Sequence, residues 1–297
     1  YKRQLFRIRW LFALARTTYY PLTVQLFVLL VFAYLLYDGF FGVQGFRIIF
    51  PIAFEPLGDN FALLGPYFIF WHLVIVLSMV VIGRIWCSWC PLGAVNGFFA
   101  RFGKQKEFPE SIGHLGLPLL IYLLVLLYMY PFPPLLGSPY SSAVFFAVAL
   151  MVAMLMGNYF KGRAFCQHIC PLAGSLCVWG MASPIELTST REICEMCPTH
   201  DCLRGNERAE GCPMGLFPGY MNSMRDCILC MKCVKACPYG SLQLRWRAPS
   251  VELGRVQEPR FWEALTTLVI LNIFTLFVAY WIPHGRIYER ISAAAAD

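Results

Sequence analysis

Five long stretches of apolar residues alternate with polar segments along this chain of 297 residues. A helix needs roughly 20 consecutive apolar residues to cross a bilayer, and these stretches approach that length. They predict five membrane-spanning helices, over Tyr20–Tyr37, Leu64–Ile82, Leu115–Tyr130, Ser141–Met156 and Trp262–Ile282. The fourth stretch is short, and a re-entrant segment that enters and leaves the membrane on one side is the alternative there.

Composition and charge agree with a membrane protein and give it an orientation. Hydrophobic residues make up 58 % of the chain and charged residues 14 %, whereas soluble domains carry about 25 % charged residues. With five spans and a cytoplasmic N-terminus, 21 of the 24 Lys and Arg residues lie on the cytoplasmic side, and only Arg47, Arg286 and Arg290 lie outside. Positive charge collects in cytoplasmic loops, so we expect the polar segment before the last span to be cytoplasmic. No basic face of a soluble domain is visible, so nucleic acid is not an expected partner.

Eight of the 13 cysteines lie in that polar segment. From Cys227 to Cys237 the sequence reads C-x2-C-x2-C-x3-C-P, the run that holds [4Fe–4S] clusters in bacterial ferredoxins. A looser version precedes it, with Cys194, Cys197, Cys202 and Cys212. Thiolates are soft ligands that suit iron–sulfur clusters. Zinc prefers two separated cysteine pairs, and disulfides are rare in the cytoplasm, so two [4Fe–4S] clusters are the prediction.

The looser spacing leaves two ways of sharing these eight cysteines. In two-cluster ferredoxins the fourth cysteine of each run binds the other cluster. This crossed arrangement predicts that cluster 1 is held by Cys194, Cys197, Cys202 and Cys237, and cluster 2 by Cys212, Cys227, Cys230 and Cys233. The alternative is local pairing, in which Cys212 closes its own cluster, because the interval between Cys202 and Cys212 is long.

A second pattern is an internal repeat at the ends of two predicted spans. One copy reads G-R-I-W-C-S-W-C-P-L from Gly83, and the other reads G-R-A-F-C-Q-H-I-C-P-L from Gly162. If the first four spans form two hairpins, the cysteine pairs meet at the cytoplasmic edge of the membrane. The four cysteines Cys87, Cys90, Cys166 and Cys170 therefore predict a third thiolate centre. It could be a third [4Fe–4S] cluster, a mononuclear iron or zinc site, or a set of redox dithiols that carry metal transiently.

Three further residues near these motifs have alternative interpretations. Cys177 has no partner in the sequence, so we expect a small buried hydrophobic residue. Arg84 and Arg163 would offset the negative charge of a thiolate-bound cluster and tune its potential. Anchoring at the membrane surface by the positive-inside rule is the alternative for both.

Histidines are few, and only His72 lies within a predicted span. A bis-histidine haem needs two histidines at matching depth, so a cytochrome b is not expected. Ionisable residues inside membranes are usually functional, which makes His72 a candidate quinone contact; a bond to a neighbouring helix is the alternative. His168 lies within the second motif, where it would donate to a cluster sulfur or simply lie at the interface.

The repeated motif G-R-x-W/F-C-x2–3-C-P-L-G/A, followed by a ferredoxin-like segment, resembles the NapH-type membrane ferredoxins, the membrane part of NosR and the CcoG/RdxA polyferredoxins. The resemblance covers about residues 15–245. Those proteins usually have C-x3-C-P in both copies, whereas Cys87 and Cys90 are one residue closer here. Their ferredoxin segment is also more compact. The resemblance implies quinol-linked electron transfer, or delivery of electrons to the metal centre of a partner.

These patterns predict an all-α, five-span membrane protein of the bacterial inner membrane with a cytoplasmic ferredoxin-like insertion. The expected parts are a membrane domain at 1–175, the ferredoxin-like domain at 176–260, and a last span with an external tail at 261–297. No nucleophile motif or nucleotide-binding loop is visible. We therefore expect an electron-transfer subunit of an oxidoreductase complex, surrounded by lipid and served by redox partners and a quinone. A metal-centre maturation factor and a membrane anchor with structural clusters are the alternatives.

Overall fold

The computed structural model of the chain describes residues 13, 15–17, 19–41, 76–109, 116–129, 139–255 and 260–272. The helices in chain order are α1 (Leu22–Phe41), α2 (Val76–Ile82), α3 (Ile85–Trp89), α4 (Pro91–Phe102), α5 (Leu117–Met129), α6 (Pro139–Tyr159), α7 (Ala173–Ala182), α8 (Arg191–Glu195), α9 (Asp201–Arg204), α10 (Lys232–Ala236) and α11 (Phe261–Asn272). A short π-helix covers Phe165–Ile169, and a 3-10 turn covers Leu253–Arg255. The strands are β1 (Ile185–Ser189), β2 (Gly205–Asn206), β3 (Ala209–Glu210) and β4 (Leu242–Trp246).

Two described helices, α1 and α6, are long and apolar enough to cross a membrane. They pack side by side, with Phe32 on Phe146 and Phe40 on Tyr140, at 5.9 and 5.7 Å between ring centroids. The second pair joins the C-terminal end of α1 to the N-terminal end of α6, so the helices are antiparallel. Both leave large apolar side chains exposed, among them Phe27 on α1, as lipid-facing helices do.

The five-span prediction is met only in part by the described residues. The first and fourth predicted spans correspond to α1 and α6, and α6 is one continuous helix of 21 residues. It is longer than the predicted stretch Ser141–Met156, because Pro139 suits the first turn of a helix, and this length favours a span over a re-entrant segment. The third stretch contains α5, whereas residues 64–75 of the second and 273–282 of the fifth lie outside the described residues.

The ferredoxin-like segment is enclosed by an antiparallel strand pair. β1 lies against β4, with Ile185 opposite Trp246 and Ser189 opposite Leu242. These two strands bring the ends of the cysteine-bearing stretch 190–241 together. The long interval between Cys202 and Cys212 folds back on itself as the β2–β3 hairpin, and the Cys212 amide donates to the Cys202 carbonyl at 3.1 Å. The additional residues of the looser motif therefore form a hairpin between Cys202 and Cys212 and leave these two cysteines close together.

This segment lies at the N-terminal end of α1. The Tyr20 hydroxyl donates to the Leu229 carbonyl at 3.3 Å, and the Lys235 ammonium donates to the Tyr20 carbonyl. In the same region, the Gln25 amide donates to the Ser88 carbonyl at 2.6 Å. Consequently the ferredoxin-like segment and the first cysteine motif occupy the same end of the apolar helix pair.

The last described helix is fastened to the same place by buried charges. Glu263 on α11 is 2 % exposed and pairs with Arg225 at 3.2 Å and with Arg260 at 3.1 Å. Asp226, which follows Arg225 in the sequence, lies 3.7 Å from Arg84 and 3.9 Å from Arg260. Removing one member of a buried pair is costly because the other charge is left unpaired. This network therefore fixes α11 against the residues that precede Cys227.

Candidate metal centres

Four of the predicted ligands line one cavity, which we call cavity B. Its walls include Cys212, Cys227, Cys230 and Cys233, and its volume is about 370 Å³. Apolar side chains complete the lining, among them Met214 and Leu216. The three cysteines of the compact run are buried, and Cys212 is partly buried. The structure thus brings together the cysteines that the crossed arrangement assigns to cluster 2.

The other four line a separate cavity of about 320 Å³, which we call cavity A. Its walls include Cys194, Cys197, Cys202 and Cys237, together with Phe217 and Leu242. The hydroxyl of Ser241 lies 3.4 Å from the Cys194 sulfur and 3.6 Å from the Cys237 sulfur. Cys237 reaches this cavity although its neighbours in the compact run line cavity B. The fourth cysteines of the two runs are therefore exchanged in the structure.

Burial disfavours the deprotonated form of these cysteines when no metal is bound. Desolvation raises the pKa of Cys202 and of Cys227 to about 12, and that of Cys212 to about 11. The neighbouring cysteines add to the shift, because several negative charges would then lie close together. Bound cations would remove this penalty, since metal coordination keeps thiols deprotonated. Each cavity is lined by four cysteines, which is the number of ligands that a [4Fe–4S] cluster requires.

Cys87, Cys90, Cys166 and Cys170, which we call the membrane-edge cysteines after their predicted location, lie on two motifs that fold alike. Each motif opens on a glycine in the left-handed region, with φ of 68° at Gly83 and 65° at Gly162, where other residues are strained. The amide of Cys90 donates to the carbonyl four residues back, at 2.8 Å. The amide of Cys170 donates to the carbonyl five residues back, also at 2.8 Å. The extra residue of the second motif is thus absorbed by the π-helix Phe165–Ile169, a feature often found at functional sites.

The two cysteine pairs meet, as the repeat predicts. A β-carbon placed on Gly93, three residues after Cys90, would lie 3.1 Å from the Cys166 sulfur. Desolvation raises the pKa of Cys166 to about 12, and it also raises the pKa of Cys90 and of Cys170. Neighbouring cysteines of both motifs contribute to these shifts. Cys87 is buried and the other three are partly buried. Among the described residues, no three His, Cys, Asp or Glu side chains are placed to hold a single metal ion.

Arg163 closes this membrane-edge site. Its side chain is 2 % exposed and donates to the carbonyls of Cys87 and, at 3.5 Å, of Ser88. It also lowers the pKa of Cys166, against the larger upward effect of desolvation. Its Nε is buried and finds no acceptor within the described part of the protein. A buried donor of this kind beside four cysteines fits a cluster whose sulfur atoms accept hydrogen bonds.

Arg84 is equally buried, also lies beside Cys87 and likewise has an Nε with no acceptor among the described residues, but its other partners differ. It donates to the Arg225 carbonyl at 2.6 Å and to the Cys177 sulfur at 3.3 Å. Cys177 in turn lies 3.7 Å from the Asp226 carboxylate. Surface anchoring is therefore the wrong interpretation of both arginines, because each is 2 % exposed. Cys177 is buried, as predicted, at 3 % exposure, but its thiol also contacts the two charged groups Arg84 and Asp226.

The histidines are placed as follows. His168 stacks on Phe108, with ring centroids 4.0 Å apart and planes 6° from parallel, and burial lowers its pKa. His200 has a left-handed backbone and packs edge-on against Phe217 in the lining of cavity A. His72, the candidate quinone contact, lies outside the described residues, so its role stays a prediction. Sequence reasoning missed Gln167 and the Arg84–Cys177–Asp226 contact, because neither belongs to a recognisable motif.

Comparison with known protein families supports an iron–sulfur protein. One family model, described as a 4Fe-4S binding domain, matches residues 64–109 and 140–179. A second model with the same description matches residues 223–243. The first match contains both membrane-edge motifs, and the second contains the compact cysteine run. These two matches to ferredoxin-type 4Fe-4S binding domains support an iron–sulfur protein, and such domains suggest electron transfer. The more specific resemblance to NapH, NosR and CcoG is not confirmed by these matches and stays a prediction.

Two relatives come from the archaeon Methanocaldococcus jannaschii. The uncharacterized protein MJ0750 is 25 % identical over 223 residues, which are 68 % of this chain and 89 % of that protein. The uncharacterized protein MJ0749 is 26 % identical over 175 residues, which are 57 % of this chain and 67 % of that protein. No solved structure matches the chain.

Proposed function

We propose that this protein is a membrane-bound electron-transfer protein with three [4Fe–4S] clusters. Cluster 1 would be held in cavity A by Cys194, Cys197, Cys202 and Cys237, and cluster 2 in cavity B by Cys212, Cys227, Cys230 and Cys233. The third would be held by Cys87, Cys90, Cys166 and Cys170. The observation that carries the proposal is the grouping of these twelve cysteines into three sets of four at one end of two antiparallel apolar helices.

The chemistry of the donors favours clusters over single ions. Each cavity is lined by four cysteines and apolar side chains, and the membrane-edge site adds the buried Arg163 Nε, which has no acceptor among the described residues. Bound [4Fe–4S] clusters supply one-electron redox chemistry, with potentials set by charge, hydrogen bonds and solvent exposure. The chain supplies the ligands, lines cavity B with apolar side chains and places Arg163 beside the membrane-edge thiols. No nucleophile or acid–base group of the chain is needed for that role.

The membrane part of the proposal rests on α1, α6 and the charge pattern. We propose a multi-pass protein of the inner membrane, with the ferredoxin-like segment in the cytoplasm. Reporter fusions at Gln105 and at the exposed Asn206 should both report the cytoplasmic side. A reporter that is active on the outer side at either position would overturn this orientation.

The relay would connect a membrane electron carrier with a cytoplasmic redox partner, in a complex of several subunits. A quinone is the membrane substrate we propose, because the membrane-edge site lies where the apolar helices end. Quinol oxidation releases two electrons and two protons. Because a [4Fe–4S] cluster takes up one electron at a time, the electrons would leave singly, and the two protons would pass to solvent. His72 is the residue we propose for contact with the quinone.

A second candidate is a metal-centre maturation factor or metal reductase. One observation favours it: three of the four membrane-edge cysteines are only partly buried, whereas six of the eight ferredoxin cysteines are buried. Partly exposed thiols can pass a metal to a partner, whereas their raised pKa argues against thiol exchange. Under this alternative the membrane-edge metal would be labile and the two ferredoxin clusters would reduce it. No observation favours the anchor alternative, in which the clusters are only structural.

Anaerobic iron and sulfide quantification, combined with electron paramagnetic resonance (EPR) during a redox titration, tests the proposal. Three [4Fe–4S] clusters give roughly twelve irons and twelve sulfides per chain. Roughly eight irons, together with copper or zinc that a mild chelator removes, would favour the maturation factor. Zinc in the ferredoxin-like segment instead of iron and sulfide would overturn both candidates.

A further inference from the structure

The segment that begins at Cys212 contacts the second membrane-edge motif. The backbone amide of Arg163 donates to the Pro213 carbonyl at 2.8 Å. The side-chain amide of Gln167 donates to the Met214 carbonyl at 2.9 Å. Arg163 and Gln167 lie on either side of Cys166 in the sequence. Two hydrogen bonds therefore join the segment after Cys212, which lines cavity B, to the turn that contains Cys166.

The first membrane-edge motif contacts cavity B through apolar packing. Cys87 belongs to a buried cluster that also contains Met214, Ile228 and Cys230. Ile228 lies between Cys227 and Cys230 in the sequence, and it lines cavity B. Both cysteine motifs of the membrane edge thus meet residues of cavity B.

Cavity A lies against cavity B at a different place. Cys202 and Cys237 of cavity A share a buried cluster with Cys227 and Cys233 of cavity B. Helix α10 leads from one cavity to the other, and the Cys237 amide donates to the Cys233 carbonyl at 3.0 Å. Next to Cys197, Met196 is 77 % exposed, so cavity A lies near the protein surface.

We infer that cavity B is the middle site of the three, and that Gln167 with the Cys212–Met214 segment forms its junction with the membrane-edge site. The inference rests on the proposed function and goes beyond it in two respects. It fixes the order of the sites as membrane edge, cavity B, cavity A. It also assigns a positioning role to Gln167, which holds the backbone next to Cys212 without contacting a cluster itself.

The order can be tested by magnetic interaction, because the coupling of two paramagnetic clusters falls steeply with their separation. The full chain is purified anaerobically and reduced, and EPR spectra are compared for the parent protein, Cys230→Ser in cavity B and Cys202→Ser in cavity A. We expect Cys230→Ser to abolish the splitting of the membrane-edge signal and Cys202→Ser to leave it unchanged. Iron and sulfide contents identify which cluster each variant has lost.

Other outcomes separate the order from the function. If all three signals are present but the splitting survives Cys230→Ser and vanishes in Cys202→Ser, the order is wrong while the proposed function stands. The same holds if neither variant changes the membrane-edge signal. If the parent protein has no membrane-edge signal, the proposed function fails and the order fails with it.

The junction itself is tested by Gln167→Met, which keeps the length of the side chain but removes its N–H donor. Gln243→Met on β4 is the matched control, because the Gln243 side chain faces Arg245 within the strand pair. We expect Gln167→Met to keep the iron content and to lose part of the splitting, whereas Gln243→Met changes neither. Identical splitting in both variants would contradict the role of Gln167.

Discussion

The two membrane-edge motifs are alike in sequence and fold but differ in what their arginines hold. Both begin with a glycine in the left-handed region. In both, the amide of the second cysteine donates a hydrogen bond to a carbonyl of the preceding turn at 2.8 Å. Arg163 of the second motif reaches across to the backbone of the first, at Cys87. Arg84 of the first motif lies beside Cys87 of its own motif and donates to the Arg225 carbonyl of the ferredoxin-like segment.

This difference shows how one repeat performs two tasks. The ferredoxin-like segment supplies Arg225 and Asp226 to Arg84, so the first arginine fastens that segment to the membrane-edge motifs. The side chain of the second arginine instead donates to the backbone of the cysteine site, and only its backbone amide bonds to the ferredoxin-like segment, at Pro213. The two substitutions should therefore have different consequences, although the residues are identical.

The largest effect is expected for Arg163→Met. The change leaves the buried Cys87 carbonyl without its donor and removes the positive charge beside Cys166, so the membrane-edge cluster should be lost. Iron analysis should show roughly four irons fewer per chain, with both ferredoxin EPR signals retained. Arg101→Met is the control, because the Arg101–Glu210 pair is exposed at 46 % and 43 % and such pairs contribute little. A full iron content in Arg163→Met would contradict the closing role.

Arg84→Met should weaken the attachment of the ferredoxin-like segment. The Arg225 carbonyl loses a buried charged donor, whose hydrogen bond contributes about 1.5–3 kcal/mol, and the Asp226 carboxylate loses a positive charge 3.7 Å away. Thermal unfolding in detergent should show a lower Tm than the parent, while iron at the membrane edge is kept. Arg191→Met provides the comparison, since Arg191 pairs with Glu195 in an exposed i,i+4 contact. If Arg84→Met instead removes the membrane-edge cluster at an unchanged Tm, the two arginines have the same task.

A smaller effect is expected for Cys177→Ala. The thiol accepts a hydrogen bond from Arg84 and donates one to Asp226, and a single hydrogen bond contributes about 1 kcal/mol. The iron content should stay at the parent level, because Cys177 is not among the twelve grouped cysteines. Loss of iron or of any EPR signal would show that Cys177 is a ligand.

Deletion of His168 should have the smallest effect on the site. It shortens the second motif to the spacing of the first, so the π-helix can become an ordinary α-turn that ends at Cys170. The membrane-edge EPR signal should persist, apart from the lost contact with Phe108. Disappearance of the signal would mean that the extra residue has a role beyond being accommodated by the turn.

Local sequence patterns predicted the parts of this protein that depend on spacing. The compact run at Cys227–Cys237 predicted the exchanged cysteine, since Cys237 lines the cavity opposite to its neighbours in the run. The repeat predicted the meeting of Cys87 and Cys90 with the second pair. The assignment of each set to a cluster remains a proposal, because the grouping of the thiols is what the structure shows.

Features that depend on distant parts of the chain were not predictable. The Arg225 carbonyl that Arg84 binds lies 141 residues further along the chain. No local sequence pattern could therefore distinguish Arg84 from Arg163. Gln167 was missed because a glutamine beside a cysteine has no distinctive spacing. Helix α6 was predicted too short at both ends, because hydropathy does not reveal that Pro139 and Tyr159 also have a helical backbone.

The central claim is that both motifs hold one centre jointly, and Cys87→Ser compared with Cys166→Ser tests it most directly. The two residues lie in different motifs, and each supplies one thiolate to the proposed site. EPR spectra of the reduced, anaerobically purified variants should lack the same signal, with both ferredoxin signals intact. Two different missing signals, or no missing signal in either variant, would contradict a joint centre and favour the maturation factor.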